Sequence, residues 1–523
     1  MPGSPRPNRL NAVRNSAAVA VMLAAVVLLT AGPASIARAQ APDSKWQPAI
    51  NATWGPGAPT ERKLAIFDAF SKTIDERFAA FQGLDVDWAA LRDRYRPEIA
   101  AGVSEGRFAG IMTHLALALR EQHTIAGDLP VLLTPRRRGV PIMVIRGEPI
   151  NNTFGACATA QDDGSALIYS VAPGHPLGLQ PGDRILGYDG RLWPELYQEL
   201  LAAELPTRGT WGSSASTWTH MLVQSANVNW HLFDTIDIWK HDSGTVEHFP
   251  TALLNTTPVL RGPLCSEQLP VPGVPKPAAL SDLVTWGSVA GTQIGYIYVT
   301  AWEGDAGDRF AQAIEELTQT RDAEGRIAAS DGLIIDFRFN RGGNMFLSDA
   351  GLGMLFDRPT PTIAFAERAD PSDHYKMRPA VGEPGEICGV HRPGALPSLY
   401  VIDMCDHTYD PRSYERPIAV LTGPSAVSSG DQVALRMTYH PRARIFGKST
   451  NTSFNAPCQL SVDPGWLMQY ACADAYRINN PHDYLTHDDL PVDEPVWLRP
   501  DDVAQGKDTV VDAALRWING QTP

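Results

Sequence analysis

The spacing of hydrophobic positions changes along this chain, and each change predicts a different kind of structure. Leu64, Phe67 and Phe70 recur at helical spacing, as do Ile111, Leu115 and Leu119, so residues 60–122 predict helices. Pro97 interrupts that pattern and predicts the start of a helix or a kink in one. The segment closes on Gln122-His123-Thr124. From about Arg138 to Phe249 short apolar runs between turns replace the helical period, with Leu167 to Val171 as a strand. A Ser/Trp-rich stretch from Thr210 to Trp230 interrupts this region before its last strands. Gly262 to Pro277 is rich in proline and predicts a linker. Beyond it the two periods alternate. Ile294–Val299, Leu333–Asp336, Ile418–Leu421 and Ile445-Phe446 predict strands; Arg309–Thr318, Asp431–Thr438 and Thr509–Ile518 predict helices. That order implies an α/β layered domain.

Length and charge narrow the class. The chain has 523 residues, more than one ordinary domain holds. Arginines near the start precede an apolar run from Ala17 to Ala31, and Ala37-Arg38-Ala39 supplies a small-x-small cleavage pattern. Residues 1–39 therefore read as an export signal, the apolar run being short for a bilayer span. No other stretch is long and apolar enough to cross a membrane, so no stable span is expected after cleavage. The formal net charge is -14, and removing the four arginines of the signal takes it to -18. Such a balance argues against nucleic acid as a partner. Six cysteines in an exported chain suggest disulfides. Cys388 with Cys405 and Cys458 with Cys472 are the local pairs, which leaves Cys157 and Cys265 to each other or free.

Two remote segments carry candidate chemistry. Gly332 to Gly343 reads as a buried strand running into a glycine turn, and Pro424 to Asp431 as a strand end turning into a helix. A serine at such an elbow can serve as a nucleophile, and a Gly342-Gly343 turn can hold an oxyanion with backbone N–H groups. The plainer alternatives are a serine that caps the helix and a turn that only needs positive φ. Late in the chain His482, Asp483, His487, Asp488 and Asp489 could be read as metal ligands, but their irregular spacing favours a solvated acidic loop. No cofactor is expected.

Two resemblances extend this reading. Pro173-Gly174-His175-Pro176-Leu177-Gly178-Leu179-Gln180-Pro181-Gly182-Asp183-Arg184-Ile185-Leu186 is similar to the centre of a PDZ domain, which implies a module that binds extended chain ends by strand addition. Val86-Asp87-Trp88, Gly295-Tyr296-Ile297, Asp336-Phe337-Arg338-x-Asn340-x-Gly342-Gly343 and Ser428-Ser429-Gly430-Asp431 together resemble the S41 serine peptidases, the tail-specific or C-terminal processing protease family. The resemblance implies a multidomain α/β protein with a crotonase-like (ClpP/crotonase) catalytic core. It implies Ser428 as nucleophile, with Ser425 and Ser429 as neighbours to consider, and Gly342 or Gly343 in the oxyanion hole, joined by the Ser429 amide. Asp336 and Arg338 read as structural.

One branch of the family uses a lysine in a Phe-Gly-Lys motif. Phe446-Gly447-Lys448 mimics it but comes early, and the expected lysine slot falls near Ser453. The branch that resembles the tricorn protease core uses a histidine after a helix, which here implies His123 as base. The same branch places an acid late in the core, which implies Asp489, with Asp488 next. The domain expectation is a signal at 1–39, a helical domain at 40–135, a PDZ-like domain with an insertion at 136–260, a linker at 261–280 and a peptidase core at 281–523. The functional expectation is an exported serine endopeptidase acting on protein or peptide chains. The alternative is a catalytically inactive ligand- or peptide-binding protein on the same scaffold.

Overall fold

The N-terminal helical pattern produces α1 (Gln47–Ala52), α2 (Thr60–Arg77), α3 (Trp88–Ala100) and α4 (Glu105–Ala118). Asp87 and Ser104 start the last two by accepting the N–H groups of Ala90 and Arg107. Pro97 does not start a helix. It lies in the last turn of α3, and its carbonyl accepts from Ala101 at 3.0 Å. The structure, a computed structural model, describes residues 45–128, 142–143, 154–208, 212–255, 264–356, 361–380, 400–401, 414–477, 480 and 482–521. The expected export signal and the Cys388–Cys405 pair lie outside the described residues.

The middle region builds one antiparallel sheet from β2 (Ala156–Ala160), β3 (Ala166–Val171), β4 (Arg184–Tyr188), β5 (Thr235–Lys240) and β6 (Thr245–Pro250), in that spatial order; β1 (Ile125–Asp128) belongs elsewhere. Helices α5 (Trp193–Ala202) and α6 (Ala215–Gln224) cover this sheet. The Ser/Trp-rich stretch is α6 and the turns after it, with Trp218, Met221 and Trp230 in the module's core.

The C-terminal region supplies the principal sheet. Its order is β7 (Val284–Ser288), β8 (Ile294–Val299), β9 (Gly332–Asp336), β10 (Ile418–Thr422), β11 (Ala443–Gly447) and, after the hairpin described next, Glu494–Pro495. All neighbours from β8 onward are parallel, and only β7 runs antiparallel. Every residue of β8, β9 and β10 is buried, as parallel strands covered on both faces require. Helices α7 (Ala306–Thr318) and α8 (Ser429–Met437) pack on one face with Phe310, Ile314, Val433 and Leu435. Helix α9 (Thr509–Gln521) packs on the other, through Val510, Ala514 and Ile518. The sequence reading started α7 three residues late and α8 two late, because Ala306, Gly307, Ser429 and Gly430 carry little apolar signal.

Strands β12 (Ala456–Leu460) and β13 (Trp466–Arg477) join the regions. β13 pairs with β12 on one edge and with β1 on the other, so Ile125 and Gln459 both face Gln469. Met468, Tyr470 and Ala471 of β13 complete the core of the N-terminal helices. The proline-rich segment also departs from expectation. Leu269, Val271 and Val274 are buried against β8 and α9, so residues 265–274 form an internal strap, where composition alone suggested a solvated linker. The disulfide Cys157–Cys265 ties that strap to β2, and Cys458–Cys472 ties β12 to β13.

Candidate active site

The two remote segments meet. Asn340 carbonyl accepts the N–H of Val427 at 2.9 Å, and Ser429 Oγ donates to the Gly343 carbonyl at 2.5 Å. Gly342 has φ +82°, and a Cβ there would lie 2.8 Å from Ser428 Cβ. Gly343 has φ +126°, and a Cβ would sit 2.2 Å from the Trp302 carbonyl oxygen. Both positions exclude any side chain, one for the elbow and one for the neighbouring backbone.

Ser428 occupies the turn between β10 and α8 with φ +60° and ψ -120°, a left-handed conformation that L-residues avoid. It stands at the helix N-cap, yet its side chain makes no capping bond. The simple capping role is thereby removed. Ser429 is tied to Gly343, and Ser425 donates its hydroxyl to Glu267 Oε2 at 2.9 Å. Of the three serines considered, these two are engaged.

The glycine pair divides its roles. Gly342 N–H donates to Asn340 Oδ1 at 3.1 Å, so it is already occupied. Its part is to let Ser428 approach. The N–H groups of Gly343 and Ser429 have no acceptor among the described residues, the second being at the first position of α8, where backbone N–H groups have no helical partner.

His123 follows α4, whose end is set by Arg120 at φ +45°. The chain then enters β1, which is zipped to β13. The ring Nδ1 lies 2.8 Å from Asn455 Oδ1 and 3.3 Å from Glu121 Oε1. Asn455 immediately precedes β12, so the pairing of β12, β13 and β1 brings it to the ring. Both partners are acceptors, which fixes the proton on Nδ1 and leaves Nε2 as the basic nitrogen. Burial pulls the imidazole pKa down, but the hydrogen bond and charge of Glu121 outweigh it, and the net direction is up. Glu121 is buried and also accepts the His123 N–H at 2.7 Å and the Thr124 hydroxyl at 2.8 Å. Burial pushes its carboxyl up, while these bonds and the imidazole hold it down overall.

Asp431 links the two halves. Its carboxylate accepts the N–H groups of Thr452 at 2.7 Å and Ser453 at 3.1 Å, and its charge acts on His123. Burial pushes its pKa up to about 7. The loop 452–455 thus connects the first turn of α8, beside Ser428, to the ring of His123. No direct hydrogen bond joins Ser428 to His123 among the described residues.

Asp489, expected to hold the imidazole, is elsewhere. Its carboxylate accepts from Ser216 Oγ at 2.5 Å and is exposed, as is Asp488. Leu485, Thr486 and Leu490 are buried around them, so the acids between turn outward. The groups at the ring are Glu121 and Asn455. Glu121 was visible two residues before His123 but offers no motif. Asn455 has no local signal, since only the sheet brings it there. Lys448 lies 3.6 Å from Asp162 and over the Trp497 ring, 5.4 Å from its centroid, and burial lowers its pKa. Ser453, in the expected lysine slot, gives its N–H to Asp431 and its hydroxyl to Asn451.

Residues 293–486 match the family model of peptidase family S41. Fold and match together define the class: this is a serine peptidase. The chain is similar in structure to mature CPAF, with a TM-score of 0.57 at 12% identity over 89% of this chain and 99% of that one. CPAF complexed with lactacystin gives 0.56 at 14% identity, over 88% and 99%. At such identities the likeness concerns the fold. No curated protein sequence matches the chain.

Proposed function

We propose that this protein is an exported serine endopeptidase with Ser428 as nucleophile and His123 as general base. Ser428 Oγ attacks the scissile carbonyl carbon while its proton passes to His123 Nε2. The tetrahedral oxygen is held by the N–H groups of Gly343 and Ser429, each worth roughly 3 kcal/mol in such a site. The imidazolium returns the proton to the leaving amine, and water then cleaves the acyl-enzyme by the same route. Glu121 and Asn455 hold the ring and stabilise its charged form, the part that Asp489 was expected to play. The core is read as crotonase-like and the 156–250 module as PDZ-like. Two disulfides accord with export.

The observation that carries this reading is the backbone of Ser428. A non-glycine residue at positive φ costs on the order of 1–3 kcal/mol, and such strain clusters at functional sites. Here it supports a hydroxyl beside two unengaged amides. The missing Ser428–His123 hydrogen bond is the one observation that favours a non-catalytic binding protein. Catalytic hydrogen bonds are often long without substrate, so it weighs less. A serine-directed fluorophosphonate distinguishes the two. It should modify the wild type and leave Ser428→Ala unmodified. An unmodified wild-type protein would favour the binding reading.

A further inference from the structure

Behind the elbow lies a buried polar junction that none of the catalytic steps uses. Its centre is Glu267 on the internal strap, fully buried and at φ +55°. One carboxylate oxygen, Oε1, accepts from Thr159 Oγ1 of β2 at 2.6 Å, from His220 Nε2 of α6 at 3.0 Å and from Gln224 Nε2 of α6 at 3.3 Å. The other, Oε2, accepts from Ser425 Oγ at 2.9 Å. The Glu267 N–H donates to the Tyr169 hydroxyl, and its carbonyl accepts from Arg338, which is itself paired with Asp336. The neighbouring disulfide Cys157–Cys265 fastens the strap to β2. One side chain therefore receives the 156–250 module on one oxygen and the turn leading to Ser428 on the other.

The module's strand edge at β2 is closed. Gln224 Nε2 donates to the Ala158 carbonyl at 3.0 Å and Asn227 Nδ2 to the Ala156 carbonyl at 3.4 Å. Strand addition of a substrate chain at β2 would have to displace α6 and the turn after it. The module reaches the core through the Glu267 junction and also through the Asn451 carbonyl, which accepts the Ser213 N–H at 2.9 Å and the Thr217 hydroxyl at 3.3 Å. The 423–426 turn has one further support, Asn451, which donates its N–H to the Ala426 carbonyl and its amide to the Pro424 carbonyl. Ser425 is the turn's own side-chain link to Glu267.

We propose that Glu267 is a positioning residue for the nucleophile: through Ser425 it holds the elbow in the strained conformation that presents Ser428, and so makes the reactivity of Ser428 depend on the docked module. The proposal rests on the reading of Ser428 as nucleophile. It requires the acceptor-only form of Glu267, because four donors converge on its two oxygens. A neutral amide cannot accept from all four.

The test is the second-order rate at which a fluorophosphonate modifies Ser428 in the full chain, measured across pH for Ser425→Ala, Ser425→Thr and Glu267→Gln. Fluorophosphonate needs no peptide subsite, so the rate reports the nucleophile itself. Loss of the Ser425 hydroxyl should slow modification at least about tenfold, because small misplacements of reacting groups carry large rate costs. The acid limb of the pH profile should stay where it is, since His123 is untouched. Ser425→Thr keeps a hydroxyl and should restore the rate to within about threefold. Glu267→Gln should resemble Ser425→Ala. If Glu267→Gln does not fold, the two Ser425 variants decide. Modification of Ser425→Ala within twofold of wild type, or Ser425→Thr as slow as Ser425→Ala, would overturn the proposal. Modification of Ser428→Ala at the wild-type rate would instead overturn the assignment of the nucleophile, and this proposal with it.

Discussion

Replacing Glu121 by glutamine removes one buried charge and little volume, which makes it a sharp probe of the base. Glu121 Oε1 lies 3.3 Å from His123 Nδ1. At an effective dielectric near 20, two unit charges at that distance attract by about 5 kcal/mol, which is a ceiling. A hydrogen bond to a charged group is worth about 1.5–3 kcal/mol net, and burial of the ring opposes the charge, so the lower range applies. Without that carboxylate His123 should lose its proton at a lower pH in the variant. The sign follows from the role. In the wild type the raised pKa keeps the ring protonated to a pH above the ordinary histidine value of about 6.5, and base activity appears as pH rises through that value. Without Glu121 the acid limb moves down. The plateau should fall roughly 10–100-fold, because the imidazolium formed during attack loses the same 1.5–3 kcal/mol. The assay is fluorophosphonate modification of Ser428 from pH 4.5 to 9, with folding checked by circular dichroism. An unmoved acid limb in Glu121→Gln, with Asp489→Asn moving it instead, would refute the argument.

Other perturbations separate the remaining parts. Gly342→Ala puts a Cβ 2.8 Å from Ser428 Cβ at a positive φ, so modification of Ser428 should fall about 100-fold or more while far-ultraviolet circular dichroism changes little. Lys448→Ala should leave the modification rate within about twofold, since its partner Asp162 is exposed and such pairs are weak. A loss as large as that of His123→Ala would restore lysine as the base. Replacing Cys157 and Cys265 together by alanine should lower stability by about 4–5 kcal/mol in the chain-entropy account, given a sequence separation of 108, and thermal unfolding should show it.

The sequence made the core strands legible because they are continuous apolar runs between turns, and Leu333–Asp336 and Ile418–Leu421 fall within β9 and β10. Helix starts were less legible where the first residues are small, as at Ala306 and Ser429. The Gly-Gly turn and the elbow could be paired on chemistry, and their contact rests on local features: a glycine next to a serine, and a serine hydroxyl on a carbonyl. The surroundings of His123 were not legible. Asn455 reaches the ring only through the register of β1, β12 and β13, which no local pattern encodes. Order along the chain points to Asp489, but order does not reveal that its buried neighbours turn it to solvent. The strap misled for a related reason. Proline content suggested a linker, while Leu269, Val271 and Val274 sit at positions that the fold covers.

A structure of the fluorophosphonate adduct tests the central claim most directly. The account predicts phosphorus on Ser428 Oγ, a phosphoryl oxygen about 2.7–3.1 Å from the N–H groups of Gly343 and Ser429, and His123 Nε2 in hydrogen-bonding reach of the adduct. An adduct on another serine, or one on Ser428 with its oxygen turned away from both amides and the imidazole beyond the reach of a bridging water, would contradict it.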